Sequence, residues 1–307
     1  MISNEGAINL NAWKEILNQY DVLRRKLKFR ACVMFSGGEP LLSSSLLPLI
    51  KHAYELDQKT RFSILTNGVL LSQNVCKEFD SFKQNIRFQI SLDGHDAASH
   101  DQVRGAGNFQ KSRLGASILL EQGYSVHLLC VLSQRTAQKI PEFFQTTKNW
   151  GVSFLGFTRL IAEGSAKNLV HHGSDHTLGA LELKRVYEEI LYQSAILEIK
   201  TSTSDPLMHL LHPALGRSGR FWEGIIVNYQ GQLLASSRSR IILGDILEEG
   251  LEKIFLTHPL LTSVRKGEIE TCGSCKSLRR CGGDRNAAYA ETGNYLSLDP
   301  GCWIAKI

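Results

Sequence analysis

The stretch ACVMFSGGEPLL, residues 31–42, decides how the rest of this chain is read. It opens as a nearly continuous apolar run, the pattern of a strand buried on both faces. Gly37 and Gly38 then stop the strand, and without a Cβ their backbone admits a ligand at close range. Glu39 places an anion there, suited to an ammonium group, and Pro40 is pre-set to begin a helix. Strand, glycine pair, carboxylate and helix make one βα unit with its chemistry at the carboxyl end of the strand.

The unit repeats along the chain. Further strands are expected at 61–68 (RFSILTNG), 86–94 (IRFQISLDG), 124–133 (YSVHLLCVLS) and 151–160 (GVSFLGFTRL). Helical periodicity covers 10–27, 43–56, 109–122 and 137–149. This α/β alternation builds a parallel sheet, and five strands ending in polar or glycine residues suggest a partial (β/α) barrel. A helix precedes the first strand, so ACVMF would be an unprotected edge. Either an element before Met1 is missing or something else covers that edge. Past a loop-like 161–180 and a helix at 179–197, the composition shifts. Residues 224–237 read as a hairpin turning at Gln230-Gly231, and LEKIFL (251–256) reads as a short helix.

With 307 residues, 43% apolar and 21% charged, the composition is that of an ordinary globular chain. No apolar run approaches the roughly 18 residues of a membrane span, and MISNEGAINLNAW lacks the pattern of a signal peptide, so a cytoplasmic address and no membrane partner are expected. The net charge of +5 is spread without Lys/Arg blocks, which argues against a nucleic-acid partner. In a reducing compartment, the cysteines of CGSCKSLRRCGGD (272–284) point to a metal or redox site rather than a disulfide. Cys272, Cys275, Cys281 and Cys302 are spaced C-x2-C-x5-C-x20-C, and thiolates suit either an iron-sulfur cluster or a four-cysteine zinc site.

GGEP (37–40), TNG (66–68), SLDG (91–94) and Arg104-Gly105, taken in order, resemble the radical S-adenosylmethionine superfamily over essentially the whole chain. The resemblance implies that Gly37, Gly38 and Glu39 hold the methionine amino group. It also implies that Asn67 and Ser91 lie around the ribose and sulfonium, and that Arg104 meets the carboxylate. It implies a six-stranded partial barrel over 1–200, with strands two to six visible and the first missing. The hallmark C-x3-C-x2-C is absent from these 307 residues; the family places it just after that first strand, and truncation or a mistaken start would explain both absences.

Residues 201–307 resemble the SPASM or twitch extension of the same superfamily, which implies that Cys272, Cys275, Cys281 and Cys302 hold an outer auxiliary [4Fe-4S] cluster. An inner auxiliary cluster lacks its usual cysteines, near Ser236 and near Asp284 or Arg285. Other residues read more plainly. Cys32, Cys76 and Cys130 read as buried small hydrophobes, and His171, His172 and His176 as a solvated loop. Asp93 reads as turn chemistry or a proton acceptor, and Trp222 as packing or the wall of a substrate path.

The resemblance implies an enzyme in which a reduced cluster cleaves S-adenosylmethionine and the 5'-deoxyadenosyl radical abstracts a substrate hydrogen. The expected substrate is a ribosomal peptide or a protein side chain, with a donor such as flavodoxin or ferredoxin supplying electrons. Two alternatives stand beside it: tetrapyrrole side-chain chemistry of the haem pathway, and a non-catalytic relative serving as a cluster-binding or electron-transfer partner.

Overall fold

Six parallel strands form one sheet in chain order: β1 (Cys32–Phe35), β2 (Arg61–Thr66), β3 (Ile86–Ser91), β4 (Ser125–Leu132), β5 (Phe154–Arg159) and β6 (Lys200–Thr203). The computed structural model describes residues 6–171, 173, 175–216, 224–238 and 241–305; Trp222 and His172 lie outside them. Between the strands run α2 (Leu46–Leu56), α3 (Gln73–Glu78), α4 (Ala97–Arg104), α5 (Asn108–Glu121), α6 (Gln134–Ala137), α7 (Ile140–Asn149), α8 (Ser165–His171) and α9 (Ala180–Leu197), after an amino-terminal α1 (Leu10–Lys26).

Three expectations need correction. The sheet has six strands rather than five visible ones, and the added strand follows the others: Lys200-Thr201-Ser202-Thr203 pairs with Phe154–Phe157. Its side chains carry no apolar pattern, so only backbone pairing reveals it. The loop-like 161–180 contains a short helix, α8. Burial on both faces also fails, because β3, and β4 after its exposed Ser125, alternate between buried and half-buried residues. One face supplies Phe62, Ile64, Phe88, Ile90, Leu128, Cys130, Leu155 and Phe157 to the main core against the helices. The other face carries Ser63, Arg87, Gln89, Ser91, His127 and Thr158, the polar face of the sheet.

β1 stands at one edge of the sheet. The Arg61 N–H donates to Ala31 O at 3.0 Å, so the ladder turns the backbone N–H and C=O groups of Ala31, Val33 and Phe35 toward β2 and leaves those of Cys32 and Met34 facing the open edge. The Tyr20 hydroxyl of α1 meets the first of these, accepting from Cys32 N at 3.0 Å and donating to Cys32 O at 3.1 Å. That is the internal cover the sequence left open, and it spans one residue of the edge. Cys32 is exposed rather than buried because of this edge position, whereas Cys76 and Cys130 are fully buried as expected.

On the polar face the His127 ring stacks on Phe154, centroids 3.7 Å apart. Burial, helped by Arg87, lowers its pKa to about 4. The folded value lies below the usual 6.5, so His127 contributes stability above about pH 6.5 that is lost as pH falls toward 4. Its ring signals should stay those of a neutral imidazole at pH 5.5 in an NMR titration. His127→Gln should flatten the acid limb of the stability profile; an unchanged limb would refute this.

A second sheet is antiparallel, β7 (Ile226–Val227), β8 (Gln232–Leu234) and β9 (Ile242–Asp245), followed by α10 (Ile246–Glu249), α11 (Leu251–Thr257) and α12 (Pro259–Lys266). The expected hairpin is its first half, and Gly231, at φ +83, supplies the turn. Its core joins Leu233, Ile246, Leu251, Ile254 and Phe255 to Ile16 and Leu23 of α1. Leu207, Met208, Cys281, Cys302 and Trp303 pack with the barrel instead. Both cores therefore cross residue 200. Among the described residues no helix is long and apolar enough to cross a membrane.

Candidate active site

The carboxyl ends of β1, β2 and β3 bring the expected cofactor residues onto one rim. A Cβ placed on Gly37 or Gly38 would meet nothing within 4 Å, so the backbone there faces open space, and Gly37 sits at φ +129. Glu39 caps the short turn Pro40–Leu42, accepting from Leu41 N at 3.3 Å. Its carboxylate also accepts from Thr66 Oγ1 (2.7 Å) and Asn67 N (2.9 Å), tying the β1 loop to the end of β2. Those three bonds leave about one of a carboxylate's four lone-pair sites for a ligand ammonium.

Asn67 accepts from Val69 N at 2.8 Å through Oδ1 and from Ser112 Oγ at 2.6 Å through its backbone, and its side-chain NH2 remains as a donor. Ser91 ends β3, half-buried. Arg104, in the last turn of α4, pairs through Nε with Asp93, which is therefore neither a bare turn residue nor a free base. Arg135, which the sequence did not single out, braces this pair from behind. It donates to Asp93 O and Ser99 O, both at 3.3 Å, and lies 3.5 Å from Asp175. The rim could hold a small ligand carrying both an ammonium and a carboxylate.

A cavity of about 560 Å³ lies at the ends of β4 and β5, lined by Val131 of β4, Thr158 and Arg159 of β5, and Ser237, Arg238 and Tyr289 of the carboxyl-terminal part. Its floor contains the largest feature missed by sequence reasoning. Arg159, 4% exposed, makes a two-bond bridge to Asp299, Nη1–Oδ1 3.0 Å and Nη2–Oδ2 2.8 Å. Its Nε lies 2.8 Å from Asp205 Oδ2, without the angle of a hydrogen bond, and Tyr187 donates its hydroxyl to that same oxygen at 2.6 Å. Asp284, 3.7 Å from both Arg159 and Arg238, completes the group. Burial raises the Asp205 pKa to about 6 even though Arg159 pulls it back. Burial also opposes the charge on Arg159, but the surrounding carboxylates outweigh it and raise the pKa further. The only sequence signal was an arginine closing an apolar strand and aspartates beside Pro206, Gly283 and Pro300.

Behind Asp299 the four expected cysteines gather. Cys272, Cys275, Cys281 and Cys302 line one small cavity of about 20 Å³. The segment folds through a tight turn in which Cys275 N donates to Cys272 O at 2.9 Å, and through Gly282 and Gly283 at φ +76 and +67. Backbone N–H groups already point at sulfur: Ser277 N to Cys275 Sγ at 3.4 Å and Gly283 N to Cys281 Sγ at 3.3 Å. Burial pushes the Cys281 thiol up to about 12 and also raises Cys272 and Cys302. Among the described residues, no three His, Cys, Asp or Glu side chains are grouped to hold a single metal ion. Ser236 and Asp284, the positions where a second cluster would need ligands, are otherwise engaged. Ser236 accepts from Arg238 N at 3.1 Å, and Asp284 caps α13 (Arg285–Thr292). His171 and His176 join no such group either.

Residues 3–146 match the sequence profile of the Radical SAM superfamily. Over those residues the chain belongs to that superfamily. Among similar curated proteins, an AdoMet-dependent heme synthase of Methanosarcina barkeri is 23% identical, covering 88% of this chain and 81% of its own length. The mycofactocin maturase MftC of Mycobacterium tuberculosis is 25% identical over 97% of this chain and 75% of its own. In structure, native anSMEcpe with bound AdoMet superposes with a TM-score of 0.71 at 21% identity, over 95% of this chain and 85% of that one. SuiB of Streptococcus suis bound to S-adenosylmethionine gives 0.72 at 17% identity, over 96% and 70%. These likenesses show the fold, a six-stranded parallel sheet with a small antiparallel sheet after it, to be shared with both solved structures. Superfamily membership implies S-adenosylmethionine and [4Fe-4S] chemistry.

Proposed function

We propose that this radical SAM protein modifies a ribosomal peptide or a protein side chain. S-adenosylmethionine would lie on the Gly37, Gly38, Glu39, Asn67, Ser91 and Arg104 rim, and an auxiliary [4Fe-4S] cluster on Cys272, Cys275, Cys281 and Cys302. The observation that carries the reading is the opposite charges fixed at the strand ends, Glu39 bonded to Thr66 and Asn67 and Arg104 paired with Asp93, on the same sheet whose β4 and β5 line the 560 Å³ cavity. When bound and reduced, the family's radical cluster with S-adenosylmethionine supplies a 5'-deoxyadenosyl radical. Its C-x3-C-x2-C motif is not among these 307 residues.

The chain's own contribution is positional. Asp93 holds the Arg104 guanidinium at the rim for a carboxylate, and Glu39 offers its remaining lone pair to an ammonium. The four thiols are read as cluster ligands rather than zinc ligands on the [4Fe-4S] chemistry of the superfamily. A peptide substrate is supported by the maturase MftC and by SuiB, whose structure with the precursor peptide SuiA is similar to this one. The match to haem synthases supports tetrapyrrole chemistry as a second reading. Flavodoxin or ferredoxin would be the electron donor.

Anaerobic incubation with dithionite and S-adenosylmethionine tests the assignment. These 307 residues, without C-x3-C-x2-C, should bind S-adenosylmethionine without cleaving it; release of 5'-deoxyadenosine once a segment carrying that motif is joined upstream supports an enzyme, and binding without cleavage there supports a non-catalytic relative. In calorimetry Arg104→Ala should weaken S-adenosylmethionine binding about tenfold or more, the loss of a charge-assisted bond worth roughly 1.5–3 kcal/mol. Equal affinities would show that Arg104 serves Asp93 alone.

A further inference from the structure

We propose that Arg159 and Asp299 form a charged clamp, a pair of positioning residues that fixes the loops bearing Cys281 and Cys302 and sets the charge beside the group those cysteines hold. The inference rests on the four-cysteine reading above. Its basis is that Asp299 is fully buried and every acceptor it has is used on one of these loops or on Arg159. Its backbone carbonyl accepts from Cys302 N at 3.0 Å, and its carboxylate accepts from Gly301 N at 2.8 Å and from Asp284 N at 2.7 Å. The same carboxylate thus orders the turn leading into Cys302 and the turn leaving Cys281.

Arg159 supplies the opposite charge from the end of β5, which is part of the barrel and of the cavity wall. The backbone is shaped around it. A Cβ on Gly301 would lie 2.1 Å from Arg159 Nη1, and one on Gly283 would lie 2.8 Å from Asp299 Cβ. Only glycine at both places lets the two turns close on the ion pair. Two further carboxylates, Asp205 and Asp284, surround the guanidinium, so its removal leaves buried negative charge next to the thiols. Net charge and hydrogen bonding near the sulfurs are what tune an iron-sulfur potential.

The test is the midpoint potential of the anaerobically reconstituted chain, read by EPR-monitored titration together with iron and sulfide per chain. Arg159→Gln should shift the midpoint to more negative values and Asp299→Asn to more positive ones, because they change the local charge in opposite senses. Arg159→Lys, which keeps the charge, should return the midpoint close to the original. A role in folding alone would move both charge-changing variants the same way, through lost iron, and that result overturns the proposal, as do midpoints that stay equal. Original protein that takes up no iron and sulfide would instead defeat the four-cysteine reading itself. Hydrogen exchange on the unsubstituted chain reads the clamp without any variant: the Asp284, Gly301 and Cys302 amides should be protected together, and rapid exchange of all three would overturn it.

Discussion

Cys281→Ala is expected to abolish the brown colour and the labile sulfide of the reconstituted protein, where the unsubstituted chain should carry about four irons and four sulfides. Cys281 is buried in the main core beside Trp303, its sulfur already accepts from Gly283 N, and it lines the small cavity with Cys272, Cys275 and Cys302. No other described Cys is placed to substitute, because Cys76 and Cys130 lie in the barrel core and Cys32 lies on its edge strand. Cys275→Ala should have the same outcome. Stoichiometric zinc without sulfide in the original chain, or full iron in either variant, would defeat the assignment. Iron uptake should also slow as pH falls, since burial holds the Cys281, Cys272 and Cys302 thiols protonated and each must lose a proton to bind.

Arg159→Leu should lower stability by about 3–5 kcal/mol, the usual cost of stranding a buried charge by removing its partner. Asp205 and Asp299 are 1% and 0% exposed, and without the guanidinium they keep only the Tyr187 hydroxyl and a few backbone N–H groups. Asp299→Leu in the same background should recover part of the loss, because an apolar pair of similar volume removes the stranded charge. Denaturant midpoints of the three proteins check this. A drop under about 1 kcal/mol for Arg159→Leu would mean that water reaches the site and screens it.

The sequence by itself determined the parallel sheet, five of its strands and the polar and glycine residues at their ends, because each of these is written locally. Apolar runs of strand length stop at GGEP, TNG and SLDG, and a Gly-Gly backbone with a neighbouring carboxylate has the same chemistry wherever the chain carries it. The four cysteines were legible as candidate ligands for a similar reason, since their spacing is a ligand-like pattern, and the fold brings them to one small cavity. The tertiary structure decided what has no local signature. β6 is four polar residues that become a strand only by pairing with β5. The polar face of the sheet appeared as alternation only once burial was known, because Met34, Leu65 and Leu129 stand on it among the polar residues. Tyr20 shields the edge of β1 from a helix twelve residues upstream. The Arg159 clamp joins residues 140 positions apart, and in sequence an arginine after a strand and an aspartate before Pro300 carry no sign of each other. Buried charges are placed by three-dimensional neighbours, since only a partner at hydrogen-bond distance offsets their desolvation.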